Sequence, residues 1–311
     1  MRRRDFFIQM FKDSLRRTAE PRWRPQPETW SDDAITGSCL GHSTVLMNFL
    51  GVWVLTDPVF SSRVGLGVSG LILGPKRFIK PALRPGEFPA PDVIVLSHAH
   101  FDHLDRRSLR KFSRDTVVVT AQGTRDLLKR FRHVHELAWG QSITVSTRQG
   151  QLRVTAIEVA HWGARMIRDT HRGYGGFVLQ RTYQEKDYSI CYAGDTTFTR
   201  AFEKVRAIAP ALQLALMPIG AYNPWIAAHC TPEQAVAMAD QAGAMNIVPI
   251  HHETFRLSAE PMDEPAQRIE AAMAGRRKHL LALHVGETFR VPLRDHSAVS
   301  ASATAATRLR R

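Results

Sequence analysis

Residues 92–105 read DVIVLSHAHFDHLD, an unbroken apolar run that leads straight into four metal-ligand side chains within six positions: His98, His100, Asp102 and His103. A run apolar at every position suits a strand covered on both faces, and its C-terminal end delivers whatever follows to the edge of a sheet. Along an extended chain alternate side chains share a face, so His98 and His100 can meet one cation. The chain must then turn, and Asp102 and His103 emerge at another angle, toward a neighbouring ion. Imidazole and carboxylate suit a borderline cation such as zinc, and the lack of cysteine favours a hydrolytic site with room for water. A lone histidine is more often a core or surface residue. Four donors so spaced resist that reading, because an ionised carboxylate among imidazoles in a partly buried site is unfavourable by several kcal/mol unless a cation offsets it.

A centre with two ions needs more donors, and the chain offers them after other apolar runs. His161 follows VTAIEVA, Asp195 follows SICYAG, and His251 follows NIVPI. Singly each has a plain alternative: His161 stacking on Trp162, Asp195 capping a helix, His251 or His252 as an interior histidine. Together they complete two ligand sets, all sited where a strand ends.

The rest of the chain is read around these strings. AITGSCLG, TVLMNFLG and VWVLTD are strands joined by tight turns, the opening of a β-meander. Residues 59–91, rich in Gly, Pro, Lys and Arg, are too long and aperiodic for a linker and read as a functional loop. SLRKF begins a helix, TVVVTA is a strand, and GTRDLLKRF, AFEKVRAIA and TPEQAVAMADQAG are helices, the last starting at Thr231 or Pro232. HVHELAWG, SITVST, LRVTAIEVA, GGFVLQRTY, DYSICYAGDT, LQLALMPIG and NIVPIHH are strands, and LLALHVGETFRV closes the sheet. Two blocks of meander followed by strand and helix predict an α/β fold of two face-to-face sheets with helices outside. The main domain spans 34–295, after an arm over 1–33 and before a disordered Ala/Ser/Thr-rich tail over 296–311.

Within the arm Phe7, Met10, Phe11 and Ser14 or Leu15 fall at helical spacing, and PRWRPQPETW continues extended. Such a helix packs on its own domain or on a second subunit of a homodimer. The alternative is peripheral membrane contact, since aromatics opposite arginines suit an anionic interface. The Arg-rich start resembles an export signal, but Lys12 and Asp13 break its apolar stretch and no small-residue cleavage site follows, so it is expected to stay uncleaved. No run of about 18 apolar residues occurs, so no membrane-spanning helix is expected. The three cysteines, Cys39, Cys191 and Cys230, are far apart and unpaired in spacing. That argues against disulfides and for a reducing, cytoplasmic compartment, with a membrane surface as the alternative site. The formal charge of +13 favours anionic partners of any kind, whether phospholipid, phosphorylated metabolite or nucleic acid.

HxHxDH followed by distant His, Asp and His resembles the metallo-β-lactamase superfamily over about residues 35–290. GHSTVLMNF, LTDPVFSSR, AHWGAR, GDTTF, MPIGAYNP, HCTPEQAV and HHETF resemble its branch containing N-acyl-phosphatidylethanolamine-hydrolysing phospholipase D and bacterial relatives. The resemblance implies an αββα sandwich of two mixed sheets and two Zn²⁺ ions, with Mn²⁺ or Fe²⁺ as alternatives. By it, His98, His100 and His161 hold one ion, Asp102, His103 and His251 hold the other, and Asp195 bridges. Where relatives often show His-Trp-Gly-Thr-Phe, this chain has His251-His252-Glu253-Thr254-Phe255, and register assigns the ligand role to His251.

Two ions that share a water bring its pKa near neutrality, ready to attack phosphorus or a carbonyl carbon. Asp102 is the candidate proton acceptor. His229, just before a helix start, is a candidate substrate contact or a mere neighbour of the cap. Tyr222 is a candidate donor to a substrate oxygen, and Arg165 and Arg168 are phosphate partners or plain surface charges. The function expected is hydrolysis of a phosphodiester, in a phospholipid or a small-molecule substrate, with a lactone or carboxylic ester as the nearest competitor. A nuclease-like protein is the alternative of another class. Against it stands the lack of a Lys-rich insertion or an interleaved aromatic platform for single strands.

Overall fold

The computed structural model describes residues 9, 12–68, 71–166, 168–291 and 293. The tail over 296–311, and Phe7, Met10 and Phe11 of the arm, lie outside the described residues. The chain opens on a meander of β1 (Ile35–Gly41), β2 (Thr44–Phe49) and β3 (Val52–Thr56). Leu50 and Gly51 join β2 to β3 with φ of 55° and 92°, the doubly positive turn that matches strand twist. Among the described residues, 59–91 contribute the short antiparallel pair of β4 (Leu66–Val68) and β5 (Leu71–Leu73). β6 (Val93–Leu96) is buried throughout and lies parallel between β3 and β7 (Val117–Ala121), the setting that its continuous apolar sequence requires. α1 (Arg106–Leu109) and β8 (Val134–Leu137) complete this half.

The second half runs β9 (Ser142–Thr147), β10 (Gly150–Ile157), β11 (Gly176–Tyr183) and β12 (Lys186–Tyr192) as antiparallel neighbours. It continues through α2 (Val205–Ile208), β13 (Leu212–Pro218), α3 (Pro232–Ala242), β14 (Ala244–Ile250), α4 (Glu264–Met273), β15 (His279–Leu280) and β16 (Thr288–Val291). Two seven-stranded mixed sheets result, ordered β16-β1-β2-β3-β6-β7-β8 and β15-β14-β13-β12-β11-β10-β9. Their inner faces share one core that includes Met47, Phe49, Val95, Leu179, Ile190, Leu214 and Leu216. Along β13 the alternation is direct: Leu214 and Leu216 point into that core, while Ala215 and Met217 pack outward beneath α3 and α4. This is the expected α/β sandwich with helices on its outer faces.

Four element expectations change. SLRKF does not begin a helix but ends one, since α1 starts at Arg106 behind the Asp105 cap and stops at Leu109. GTRDLLKRF gives only a 3₁₀ turn at Arg125–Leu128, because Glu136 on β8 takes the backbone N–H groups of Thr124 and Arg125 and turns the chain at once into the next strand. AFEKVRAIA splits into a 3₁₀ turn (Arg200–Lys204) and α2. The closing segment does not close one sheet. β15 adds to β14 and β16 adds to β1, one on each sheet. The described part of the arm packs on the body: Ala19 exchanges backbone bonds with Phe78 and Lys80, and Arg256 donates to Asp13 at 2.7 Å. Among the described residues no helix is long and apolar enough to cross a membrane.

Candidate metal centre

The site forms where strands of both sheets end. β6 ends at Leu96, and Ser97 then binds the buried carboxylate of Asp57 through its backbone N–H (2.8 Å) and hydroxyl (2.5 Å). With the hydroxyl proton spent on Asp57, Ser97 Oγ accepts from His98 Nδ1 at 2.9 Å, which leaves His98 Nε2 bare and facing inward. A turn closes on the carbonyl of His100, which accepts from the backbone N–H groups of His103 (3.1 Å) and Leu104 (2.8 Å). His103 Nδ1 donates to Asp57 Oδ2 at 2.5 Å, so Nε2 is the nitrogen it turns inward. Tyr192 at the end of β12 donates its hydroxyl to the same Asp57 oxygen.

From the other sheet, His161 follows β10 and donates Nδ1–H to the carbonyl of Ala228 at 2.9 Å, leaving Nε2 free. Its ring stacks on the half-exposed Trp162, with centroids 4.6 Å apart. Asp195 follows β12 after Gly194, and His251 follows β14 with a positive φ of 62°.

The seven side chains named from the sequence converge. His100 Nδ1 lies 2.8 Å from His98 Nε2 and 3.3 Å from His161 Nε2. Asp102 Oδ2 lies 3.6 Å from His103 Nε2 and 3.5 Å from His251 Nε2. Asp195 Oδ2 stands between the groups, 3.1 Å from the Nε2 atoms of both His103 and His251 and 3.8 Å from that of His161. These close approaches lack hydrogen-bond alignment: His103 Nε2, His251 Nε2 and Asp195 Oδ1 are buried with no hydrogen-bond partner. Imidazoles and a carboxylate crowded together away from water call for positive charge among them, which protons on His103 and His251 or a divalent ion can supply, and the all-His/Asp donor set fits divalent metal. Sets His98/His100/His161 and His42/Asp102/His103/His251 each bring their donor atoms within 4.8 Å of one another.

The field of the site is shared between burial and neighbours. Burial favours the neutral form of Asp195 and Asp102, but His103 and His251 beside the first, and His103, His251 and His42 beside the second, hold both carboxyls well below the usual range. Burial pushes the His98 imidazole well below its usual value, and those of His42 and His229 down to about 3. At His251 burial is outweighed by Asp195 and Asp102, which raise it to about 9.

His229 reaches the site: its Nδ1 is 3.8 Å from Asp195 Oδ2 and has no hydrogen-bond partner, and its ring meets His161 edge-on at 5.1 Å. The hydroxyl of Tyr222 is instead donated to Glu264 at 2.6 Å, under the guanidinium of Arg268. Arg165 is neither a surface charge nor an open anion hook. It donates to the carbonyls of Ala99 (2.8 Å) and Leu104 (2.7 Å), over the ring of Phe101, and braces the loop that carries His100–His103. Arg168 is exposed. Two residues of the site are not apparent from the sequence, His42 and Asp57. Both lie in strings of the resemblance, GHSTVL and LTDPVF, where they look like ordinary turn residues.

Residues 52–252 match the family model described as a beta-lactamase superfamily domain. The chain is 32% identical over 281 residues to an uncharacterised protein of Mycobacterium tuberculosis, covering 84% of this chain and 70% of that one. It is 28% identical over 265 residues to N-acyl-phosphatidylethanolamine-hydrolyzing phospholipase D 1 of Caenorhabditis elegans, covering 79% of this chain and 72% of the relative. Among solved structures it superposes on a metallo hydrolase of Ignicoccus hospitalis with a TM-score of 0.58 at 20% identity, covering 84% of this chain and 100% of that one. Fold, donor set and relatives agree: the chain belongs to the beta-lactamase superfamily, as one of its metallo-hydrolases.

Proposed function

We propose that the protein hydrolyses phosphodiesters of phospholipid type at a centre of two divalent ions, zinc in the first place and Mn²⁺ or Fe²⁺ as alternatives. His98, His100 and His161 would hold one ion, Asp102, His103 and His251 the other, and Asp195, facing both groups, would bridge. Bound there, the ions would supply Lewis acidity and a water acidic enough to be deprotonated near neutral pH. The chain's own residues do the rest. Asp57, Ser97 and the Ala228 carbonyl fix the tautomers of His103, His98 and His161, so that bare nitrogens face inward. Asp102 would take a proton, and His229, 3.8 Å from Asp195 and held neutral by burial, would contact substrate.

The observation that favours an amphiphilic substrate is the apolar rim of the mouth. Trp162, Met166, Phe198, Trp225 and Ile226 are each about half exposed, and they sit on the loops that carry His161, Asp195 and His229. Water-facing aromatic and aliphatic groups on ligand loops are the usual mark of a surface that meets an apolar partner. The similarity to proteins named for phospholipase D activity, and the chain's positive charge, point the same way.

The test combines metal analysis of purified protein with a screen of bis-p-nitrophenyl phosphate, N-acylated phosphatidylethanolamine and lactones. Two equivalents of metal and turnover of the phosphodiesters are expected. Turnover of lactones alone would overturn the phosphodiester reading in favour of a carboxylic ester hydrolase.

A further inference from the structure

His42 occupies an unusual place for a residue outside the seven. It is 1% exposed, in the turn between β1 and β2, and has a φ of 58°. Side chains with a Cβ adopt that conformation only at a penalty, which the surroundings must offset. Here they do so from both sides: its backbone N–H donates to Thr254 Oγ1 at 2.6 Å, and its carbonyl accepts from the N–H of His251 at 3.0 Å. The ring is thereby locked against its neighbours, 4.1 Å from the His251 ring and edge-on to Phe255 at 5.2 Å.

Its two nitrogens differ. Nε2 lies 3.0 Å from Asp102 Oδ2, while Nδ1 is buried with no hydrogen-bond partner. An orphaned N–H is more unfavourable in a dry site than an orphaned lone pair, so the proton of the neutral ring belongs on Nε2. A protonated nitrogen cannot ligate a cation. His42 lies within the donor group of Asp102, His103 and His251, yet Nε2, the nitrogen that meets Asp102, is spent on that hydrogen bond.

We infer that His42 is a positioning residue: through Nε2–H it holds the Asp102 carboxylate toward His103 and His251, as Asp57 holds His103. The inference rests on the metal centre proposed above, in that Asp102 must belong to the second ligand set. Asp102 is 15% exposed at its side chain and sits in a loop, and the His42 contact at 3.0 Å is shorter than its approaches to His251 (3.5 Å) and His103 (3.6 Å), so the His42 contact sets which way it faces.

The test uses His42→Gln and His42→Leu. Both keep a Cβ at the same backbone angle, so backbone strain is common to them. Only Gln offers an N–H at about the reach of Nε2. Metal content after dialysis against a graded chelator, and Co²⁺ titration followed by visible absorption, are read first on the unchanged protein. Failure of that protein to take a second equivalent would overturn the proposed centre itself. If two equivalents bind, His42→Leu is expected to weaken the second by about 10–100-fold and leave the first unchanged, with His42→Gln within several-fold of the original. Equal binding by His42→Leu would overturn the inference. So would equal loss in a folded His42→Gln protein, because His42 would then be a ligand itself. Should His42→Leu not fold, the ¹⁵N spectrum of the imidazoles in the metal-loaded native protein answers the same question. A proton on Nε2 of His42 is expected, and its absence would overturn the inference.

Discussion

At the scale of single residues, Asp57 has the heaviest duty of any group that would touch no ion. Its carboxylate accepts from Ser97 twice, from His103 and from Tyr192, all with no exposure to water. Asp57→Asn replaces an acceptor with a donor amid donors, so His103 loses its anchor. The expected result is a fall of about 10–100-fold in affinity for the ion on the His103 side, read by chelator competition. His229→Asn should behave differently, with metal content unchanged and kcat lowered about 100-fold. A matching loss of metal would place His229 among the ligands instead. Acid and alkali should both weaken the metal-stripped protein. His42 and His229, near 3, and His100, near 4, are depressed below the ordinary histidine value, so unfolding takes up protons and stability falls as pH drops below about 6.5. His251, raised to about 9, contributes stability that is present below about 6.5 and lost as pH rises toward 9. Tm in chelator should therefore peak in between, and a steady rise from pH 6.5 to 9 would contradict this charge map. The seven donors are legible in the sequence because each closes an apolar strand. His42 and Asp57 are not, because a Gly-His turn and a Thr-Asp-Pro turn carry no mark of a partner 60 and 46 residues away.

Among the elements, α3 is legible for local reasons. Thr231 and Gln234 exchange the reciprocal bonds of a capping box, and Gly243 ends the helix with a φ of 77°. Thr231→Ala should lower stability by about 1 kcal/mol. Gly243→Ala should do about the same from its backbone angle alone, since a Cβ there meets Arg206 only at 3.5 Å. Both effects are readable as shifts in Tm, and no change in either would show that the helix ends fray before global unfolding. The helix expected at GTRDLLKRF has apolar spacing but no room, because β8 begins six residues after the 3₁₀ turn. α4 carries no comparable signal. Its segment opens DEPAQRIEAAM, whose sparse apolar positions become intelligible only once Ala266, Ile269 and Met273 are seen packed beneath the outer layer. The partners of β15 and β16 are equally illegible, since joining β14 and β1 depends on contacts far along the chain.

For the whole molecule, the sandwich follows from the rhythm of meander, strand and helix, and the comparisons give it a family. The apolar rim and the charge of +13 belong to this scale. Vesicles of anionic phospholipid should bind the protein, with affinity falling as salt rises. Trp225→Ser with Ile226→Ser should weaken that binding without altering metal content. Removal of residues 1–11, upstream of the segment packed on Phe78 and Arg256, asks whether the arm contributes. Unchanged vesicle binding by both proteins would place the membrane-facing surface elsewhere, and no binding by the unaltered protein would leave the enzyme with a water-borne substrate. One further consequence comes from the origin of the donors: His98 to His103 leave one sheet, and His161, Asp195 and His251 leave the other. Ions gripped by both would rivet the two slabs together at their open end, so that loading the metal is also the last act of assembly. A chain made under metal scarcity would then emerge loose at that seam, and proteases would find it before any substrate did.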